Sequence, residues 1–393
     1  MSRIEQVEIV EFAFEVENVG IPEATSRAAF SIGYMRNART RLTKFAVIIR
    51  TDDGAQGEYV MQWGGSPITM SQTLAVAPLL LGRDPDMREE IWSDLRRELR
   101  QHDGMGIGAL DIALWDLAAR RAGTSVSRML GGYRKRLPAY ASTYHGDRCG
   151  GLDSVEAYAA FAEECLALGY RAFKIHGWHD GNAREEARNV LHVAAAVGDR
   201  MTLMLDPACQ LRTFADALYV GRACDEANYA WIEDPLRDCG ASAFAYRRLR
   251  EKLKTPVLQT EYVNGFESKA DFLMAGGTDM LRMDPEYDYG ITGGMKIAHL
   301  AEALGIDVEV HACGPAHRAC MSAIRNSNWY ELALVGPSTP NALPPIYVCG
   351  YSDQLDAVDQ DGTVPVPDGA GLGVSYDWDF IRANQTATRL FKL

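Results

Sequence analysis

The sequence predicts an α/β protein: a modified (β/α)7β TIM-type barrel carrying an α+β capping domain. Three observations lead there. From about residue 137, short apolar runs alternate with longer amphipathic segments, the texture of βα units on a parallel sheet. The repeat is roughly 25–30 residues long and recurs eight times, which favours a closed barrel over an open sheet. At 393 residues, the chain is long enough for a barrel of roughly 250 residues and a smaller partner.

The first part reads as an α+β unit. An alternating segment at 4–16, a polar loop, and a second strand-like run at 45–50 lead into a TDDG turn. Helix-like segments follow near 71–81, 87–99 and 105–122, the last ending at Gly123 as a C-cap. The eight strand candidates are PAYAST, RAFKIHGW, MTLMLDPA, YAWIEDPL, PVLQTEY, DMLRMDP, DVEVHACG and WYELALVG. Between them lie helical segments such as VEAYAAFAEECLALG, REEARNVLHVAAAVG, TFADALYVGRACDEA, SAFAYRRLREKL and GGMKIAHLAEALG. The segment after about 336 is richer in Pro, Gly and Asp, has no further βα unit, and is expected to return to the N-terminal unit. The domain expectation is therefore 1–130 as cap, 131–335 as catalytic barrel, and 336–393 as a segment returning to the cap.

Composition narrows the function. Hydrophobic residues make up 47% and charged residues 24%, ordinary for a globular protein. A net charge of −13 argues against a nucleic-acid partner, since such affinity comes mainly from Lys and Arg meeting phosphates. No apolar run is long enough to span a bilayer, and the N-terminus lacks the basic start and apolar stretch of a secretory signal. The expectations are a cytoplasmic enzyme, a small-molecule substrate, no membrane partner and a homo-oligomer. The eight cysteines show no C-x-x-C pair and read as reduced packing thiols.

Function should sit at the C-terminal ends of the barrel strands, the face built from βα loops. Three successive strands end in an acid: Asp206 in LMLDP, Glu233 in WIEDP and Glu261 in QTEY, spaced by 27 and 28 residues. Three carboxylates that close repel one another unless a cation neutralises them. A hard divalent ion with oxygen ligands resolves the repulsion, and Mg2+ suits a site that leaves positions for substrate. For one acid alone, a helix cap or loop ion pair is as good a reading; three in register favour the metal.

Lys174 and His176, two residues apart, emerge on one face of the second strand, where Lys174 would keep His176 neutral, as a base requires. The plainer alternative is a salt bridge from Lys174 to a neighbouring acid. Asp284 and His311 close the sixth and seventh strands, 27 residues apart; an Asp bonded to one imidazole nitrogen raises basicity at the other. Glu331 on the eighth strand can supply a proton or hydrogen bond from the remaining side. His102, His192 and His299 lie in helix-like stretches and read as surface or packing residues. His145, His179 and His317 follow strand ends and read as pocket-lining. In the cap, Tyr34, Arg36, Arg39 and Trp63 are the substrate-binding candidates.

This constellation resembles the enolase superfamily, specifically its mandelate racemase branch. The resemblance covers nearly the whole chain. It implies a capping domain, a (β/α)7β barrel, a Lys-x-Lys pair on the second strand, three acidic Mg2+ ligands and an Asp–His dyad. Carried over by position, Asp206, Glu233 and Glu261 correspond to the metal ligands, Lys174 to the first Lys, Asp284 and His311 to the dyad, and Glu331 to the acid of the last strand. YGITGGMKIAHLAEALGIDVEVH resembles the Gly-rich helix start after strand six. Two positions depart: His176 replaces the second Lys, and Asp206 is followed by Pro207 and Ala208 where the family usually has Asp-x-Asn. The resemblance implies Mg2+-dependent removal of a proton alpha to a carboxylate through an enediolate, with sugar-acid dehydration first. A racemase, epimerase or cycloisomerase is the alternative. A non-catalytic barrel is a third reading, and glycine or alanine at several of the seven positions would support it; all seven carry functional side chains.

Overall fold

The structure is a computed structural model that describes residues 2–20, 32–337, 339 and 341–393. Its strands are β1 (Ile4–Gly20), β2 (Gly33–Thr51), β3 (Gln56–Val60), β4 (Arg136–Thr143), β5 (Ala172–His176), β6 (Thr202–Asp206) and β7 (Trp231–Glu233). They continue with β8 (Val257–Gln259), β9 (Met280–Met283), β10 (Val308–Val310), β11 (Tyr330–Val335), β12 (Thr363–Pro365) and β13 (Gln385–Lys392).

The cap is an antiparallel sheet in the order β13-β1-β2-β3. Strands β1 and β2 pair from Ile4↔Thr51 to Gly20↔Gly33, well beyond the predicted 4–16 and 45–50. The extension has a simple cause: residues 34–44 are half-buried or exposed, and only 45–49 are continuously buried. The sequence pattern follows burial, so it marks the packed half alone. β13 closes the other edge, antiparallel to β1 from Gln6↔Lys392 to Phe12↔Gln385. The C-terminal segment thus returns to the N-terminal sheet.

All eight predicted barrel runs form strands, parallel and in the order β10-β9-β8-β7-β6-β5-β4-β11, with β12 antiparallel to β4. Among the described residues no ladder joins β10 to β11. Side chains bridge the seam instead: Glu309 accepts from the backbone of Asn328 at 3.1 Å and of Trp329 at 3.2 Å. Glu331 Oε2 accepts from Ala312 N at 2.7 Å, and Gly314 N donates to the Tyr330 hydroxyl at 2.8 Å. With β10 only three residues long, these bonds satisfy groups that a ladder would otherwise pair.

Four of the connecting helices begin on side-chain caps. Ser154, Asn182, Thr213 and Ser242 accept backbone N–H groups at the starts of the helices Val155–Leu168, Ala183–Val197, Phe214–Glu226 and Ala243–Arg250. The helix Ile107–Arg121 docks the cap onto the barrel. Its Asp111 accepts from Thr292 N at 3.0 Å and Thr292 Oγ1 at 2.7 Å, and Trp115 Nε1 donates to the same hydroxyl at 2.9 Å. A small apolar cluster of Tyr140, Ala172, Met204, Trp231 and Leu258, separate from the main core, floors the barrel interior. Among the described residues, no helix is long and apolar enough to cross a membrane.

Candidate active site

Strand alternation carries the functional side chains above that floor. Met204 and Trp231 belong to the floor, so Asp206 and Glu233, two residues further along β6 and β7, point the same way one layer higher. β8 needs an additional device, because Leu258 lies in the floor and Glu261 is three residues on. Thr260 adopts φ +98°, a left-handed conformation costly for a β-branched residue, and this turns Glu261 back toward the axis. Its hydroxyl accepts from Arg282 N at 3.0 Å, which anchors the kink to β9.

Asp206, Glu233 and Glu261 converge so that one carboxylate oxygen from each lies within 4.8 Å of the others. Around an octahedral ion with bonds of about 2.1 Å, neighbouring ligand atoms are about 3 Å apart and opposite ones about 4 Å. The three acids therefore fit such an ion with a small contraction. Electrostatics agree: burial raises the Glu261 carboxyl pKa and, against the pull of His311, Glu233 and Asp206 raise it further. Asp234, also fully buried, is held well above the usual carboxylate range by burial and by Glu261, Glu233 and Asp206. The three converging atoms are all carboxylate oxygens, the donor set that a hard divalent cation takes.

Lys174 pairs with Glu233 and Glu331 at 2.9 Å each and with Asp206 at 3.4 Å. Burial opposes its charge, but Glu233 and Glu331 outweigh it and hold the ammonium well above its ordinary pKa. The salt-bridge alternative is thus realised, with three partners. Ser142 Oγ donates to Glu331 Oε1 at 2.7 Å. Arg282 lies 2.7 Å from Glu233 through Nε and 2.6 Å from Glu331 through Nη2. The Nε contact is an ion pair whose N–H is not aimed along it, since Nε lacks a hydrogen-bond partner. Arg282, two residues before Asp284, is a site residue that the sequence expectations do not include.

Two imidazoles flank the acid row. His176 Nδ1 lies 2.7 Å from Thr143 O and its Nε2 lies 3.0 Å from Asp206. His311 Nδ1 lies 2.6 Å from Asp284 Oδ2 and its Nε2 lies 3.5 Å from Glu261. Burial would lower the His311 pKa, yet Glu261 and the Asp284 hydrogen bond raise it to about 9. Asp284 also holds a second imidazole, His317 Nε2 at 3.1 Å, so this pocket-lining candidate meets the Asp284 carboxylate from the buried helix Pro315–Ala323. Ala208 N donates to Asp206 Oδ1 at 2.7 Å, so the Pro–Ala departure orients this ligand through backbone.

The remaining candidates are more dispersed. His145 stacks between His176 and His179, with ring centroids at 4.9 Å and 4.2 Å. His192 and His299 lie in helices and His102 in the turn after the helix Arg88–Glu98. Gly33, beside Tyr34, bridges to His145, bringing the start of β2 to the barrel mouth. Arg36 is exposed, and Arg39 pairs with Glu17 at 3.1 Å on the hairpin surface. Trp63 Nε1 donates to Cys313 O at 3.0 Å, two residues beyond His311.

Comparison with known proteins agrees with this geometry. Residues 157–380 match the family described as Enolase C-terminal domain-like, and residues 23–131 match the mandelate racemase / muconate lactonizing enzyme N-terminal domain. The chain is 30% identical to a D-galactarolactone cycloisomerase of Agrobacterium fabrum, over 85% of this chain and 89% of that one. It is 29% identical to an L-talarate/galactarate dehydratase of Salmonella typhimurium, over 84% and 81%. The crystal structure of D-glucarate dehydratase from Agrobacterium tumefaciens, complexed with magnesium, superposes with a TM-score of 0.83 at 28% identity, covering 98% of this chain and 99% of that one. The chain belongs to the enolase superfamily, in its mandelate racemase / muconate lactonizing enzyme branch.

Proposed function

We propose that this protein is a Mg2+-dependent hydro-lyase that removes the proton alpha to the carboxylate of a sugar acid, or of a related hydroxy acid, and expels water from the neighbouring carbon. One observation carries the reading: the acid row Asp206–Glu233–Glu261 is flanked at one end by His176 Nε2 and at the other by His311 Nε2, each ring held through Nδ1. A substrate carboxylate seated at the acids has an imidazole on either side.

Asp206, Glu233 and Glu261 would hold the ion, which when bound supplies Lewis-acid stabilisation of charge developing on the substrate carboxylate. The protein's own groups do the rest. His176 and the His311–Asp284 dyad share proton removal at the alpha carbon and proton delivery to the departing hydroxyl. Lys174 and Arg282 hold Glu233 and Glu331 in place, and the floor beneath them excludes water. Tyr34, near the start of β2, and Trp63, over the barrel mouth, are the proposed substrate-facing residues of the cap. The corresponding organisation is a cap of 1–130, a barrel of 131–335, and 336–393 as a segment returning to the cap.

Support for the substrate class comes from relatives named for galactarate, talarate and gluconate dehydration. An isomerase is the second reading, favoured by the two-sided imidazoles, which also permit reprotonation from the opposite face, and by the cycloisomerase relative. A panel of aldonates and aldarates incubated with Mg2+ in deuterated water separates the two. Water loss to a keto acid is expected; alpha-deuterated, unreduced-mass product with no water loss would replace the lyase by the isomerase, and neither signal with any acid would contradict both.

A further inference from the structure

Glu286 lies outside the acid row and has no part in the mechanism above, yet it collects four hydrogen bonds in a fully buried position. Its Oε1 accepts from the Tyr59 hydroxyl at 2.6 Å and from Gln62 N at 2.6 Å. Its Oε2 accepts from Trp63 N at 2.7 Å and Gly64 N at 2.6 Å. Three successive backbone N–H groups of the cap thus form an anion-binding concavity around one barrel carboxylate. It forms no ion pair among the described residues; Lys44, on β2, donates to Gln62 O and lies 5.9 Å from the Trp63 ring.

The approach is close on two sides. A Cβ at Gly64 would meet Glu286 Oε2 at 3.3 Å, and a Cβ at Gly108, on the cap helix, would meet Glu286 O at 2.5 Å. Those glycines let two cap elements close on one residue of the loop after β9. Through its backbone the same residue reaches the dyad: Glu286 N donates to Asp284 Oδ1 at 2.7 Å. The next residue, Tyr287, packs its ring 5.2 Å from that of His311. From the cap side, Trp63 closes a second connection to Cys313 O at 3.0 Å.

We propose that Glu286 is a positioning residue that couples closure of the cap loop 62–64 to the orientation of the Asp284–His311 dyad. The carboxylate seats the loop, the N–H of the same residue sets one oxygen of Asp284, and Trp63 and Tyr287 bracket the segment around His311. The inference rests on the dyad reading of the preceding section. A carboxylate serving only to hold two domains together would change stability and leave the turnover of folded enzyme untouched; a positioning residue changes kcat.

Glu286→Gln keeps the shape but places an amide N–H against two of the four donors. Tyr59→Phe is the milder variant, removing one donor and keeping the ring, and it carries the test alone should Glu286→Gln fail to fold. Two measurements are made on the full chain with Mg2+: amide hydrogen exchange without substrate, and kcat with KM on the best substrate of the panel. Expected for Glu286→Gln is at least tenfold faster exchange at Gln62, Trp63 and Gly64 with barrel-strand amides unchanged, and at least a tenfold fall in kcat. Tyr59→Phe is expected to show a smaller change of the same sign in both. Wild-type exchange at those three amides, uniformly faster exchange throughout, or freed loop amides with kcat within twofold of wild type would each overturn the proposal. The exchange arm needs no substrate, so an error in the reaction class would leave it standing.

Discussion

At the scale of single residues, the proposed function divides the chemistry between His176 and His311, and their separate attachments make that division measurable. One ring hangs on a backbone carbonyl of β4, the other on a buried carboxylate. Replacing either by Asn removes one Nε2 and leaves the other anchored. In deuterated water, the variant that retains alpha-proton exchange while losing product formation identifies the other histidine's step. His311→Asn is expected to lose product formation by two orders of magnitude or more, in the general range of about 10²–10⁴-fold for a lost acid or base; exchange at the wild-type rate in both variants would remove both imidazoles from proton abstraction. These residues, with the three acids, were legible because period-two alternation and one acid or histidine per strand end leave little choice of face. Arg282 obeyed the same alternation and was readable in principle. Glu286, in a loop after a proline, carries no periodicity, and the sequence marks His317 as pocket-lining without showing its bond to Asp284, since its helix is buried all round.

Elements were legible in proportion to how one-sided their burial is. The eight barrel strands and five amphipathic helices stood out, whereas the outer half of β2, the short β3, and the helices Phe266–Met274 and Pro315–Ala323 did not. The last is buried at eight successive positions, so no polar face marks it. The helix Ala183–Val197 illustrates what such burial does to a charge. Its Glu186 is 1% exposed, accepts from Trp178 N at 2.6 Å, and leaves Oε2 without a hydrogen-bond partner among the described residues. Burial pushes its carboxyl up to about 8 from the ordinary 4.5. Because the folded pKa lies above the unfolded one, the folded state binds the extra proton between those values, so stability falls as pH rises through that window and is flat beyond it. Glu186→Gln carries no charge to desolvate. Chemical denaturation from pH 5 to pH 9 is expected to show wild type losing stability relative to the variant as pH rises, by an amount on the order of a few kcal/mol at most; a constant difference across that range would mean that Glu186 titrates normally.

At the scale of the whole molecule, the cap and barrel are joined by three sets of contacts. β13 seals the sheet that β1 opens, the helix Ile107–Arg121 lies against the barrel through Asp111 and Thr292, and the loop carrying Trp63 closes on Glu286. That the chain after about 336 carries no further βα unit is visible in the sequence; closure of the β10–β11 seam by Glu309, Glu331 and Tyr330 is not, since it depends on side chains crossing between the two strands. All of this places three carboxylates in one buried space, and the account depends on their holding a metal. The most direct measurement is turnover in excess chelator and after Mg2+ is restored, with metal content measured in parallel, for wild type and for Asp206→Ala, Glu233→Ala and Glu261→Ala. The account expects wild-type turnover to vanish with the metal and return with it, and each variant to stay folded while losing both; full turnover by wild-type protein in chelator, with no metal bound, would contradict it.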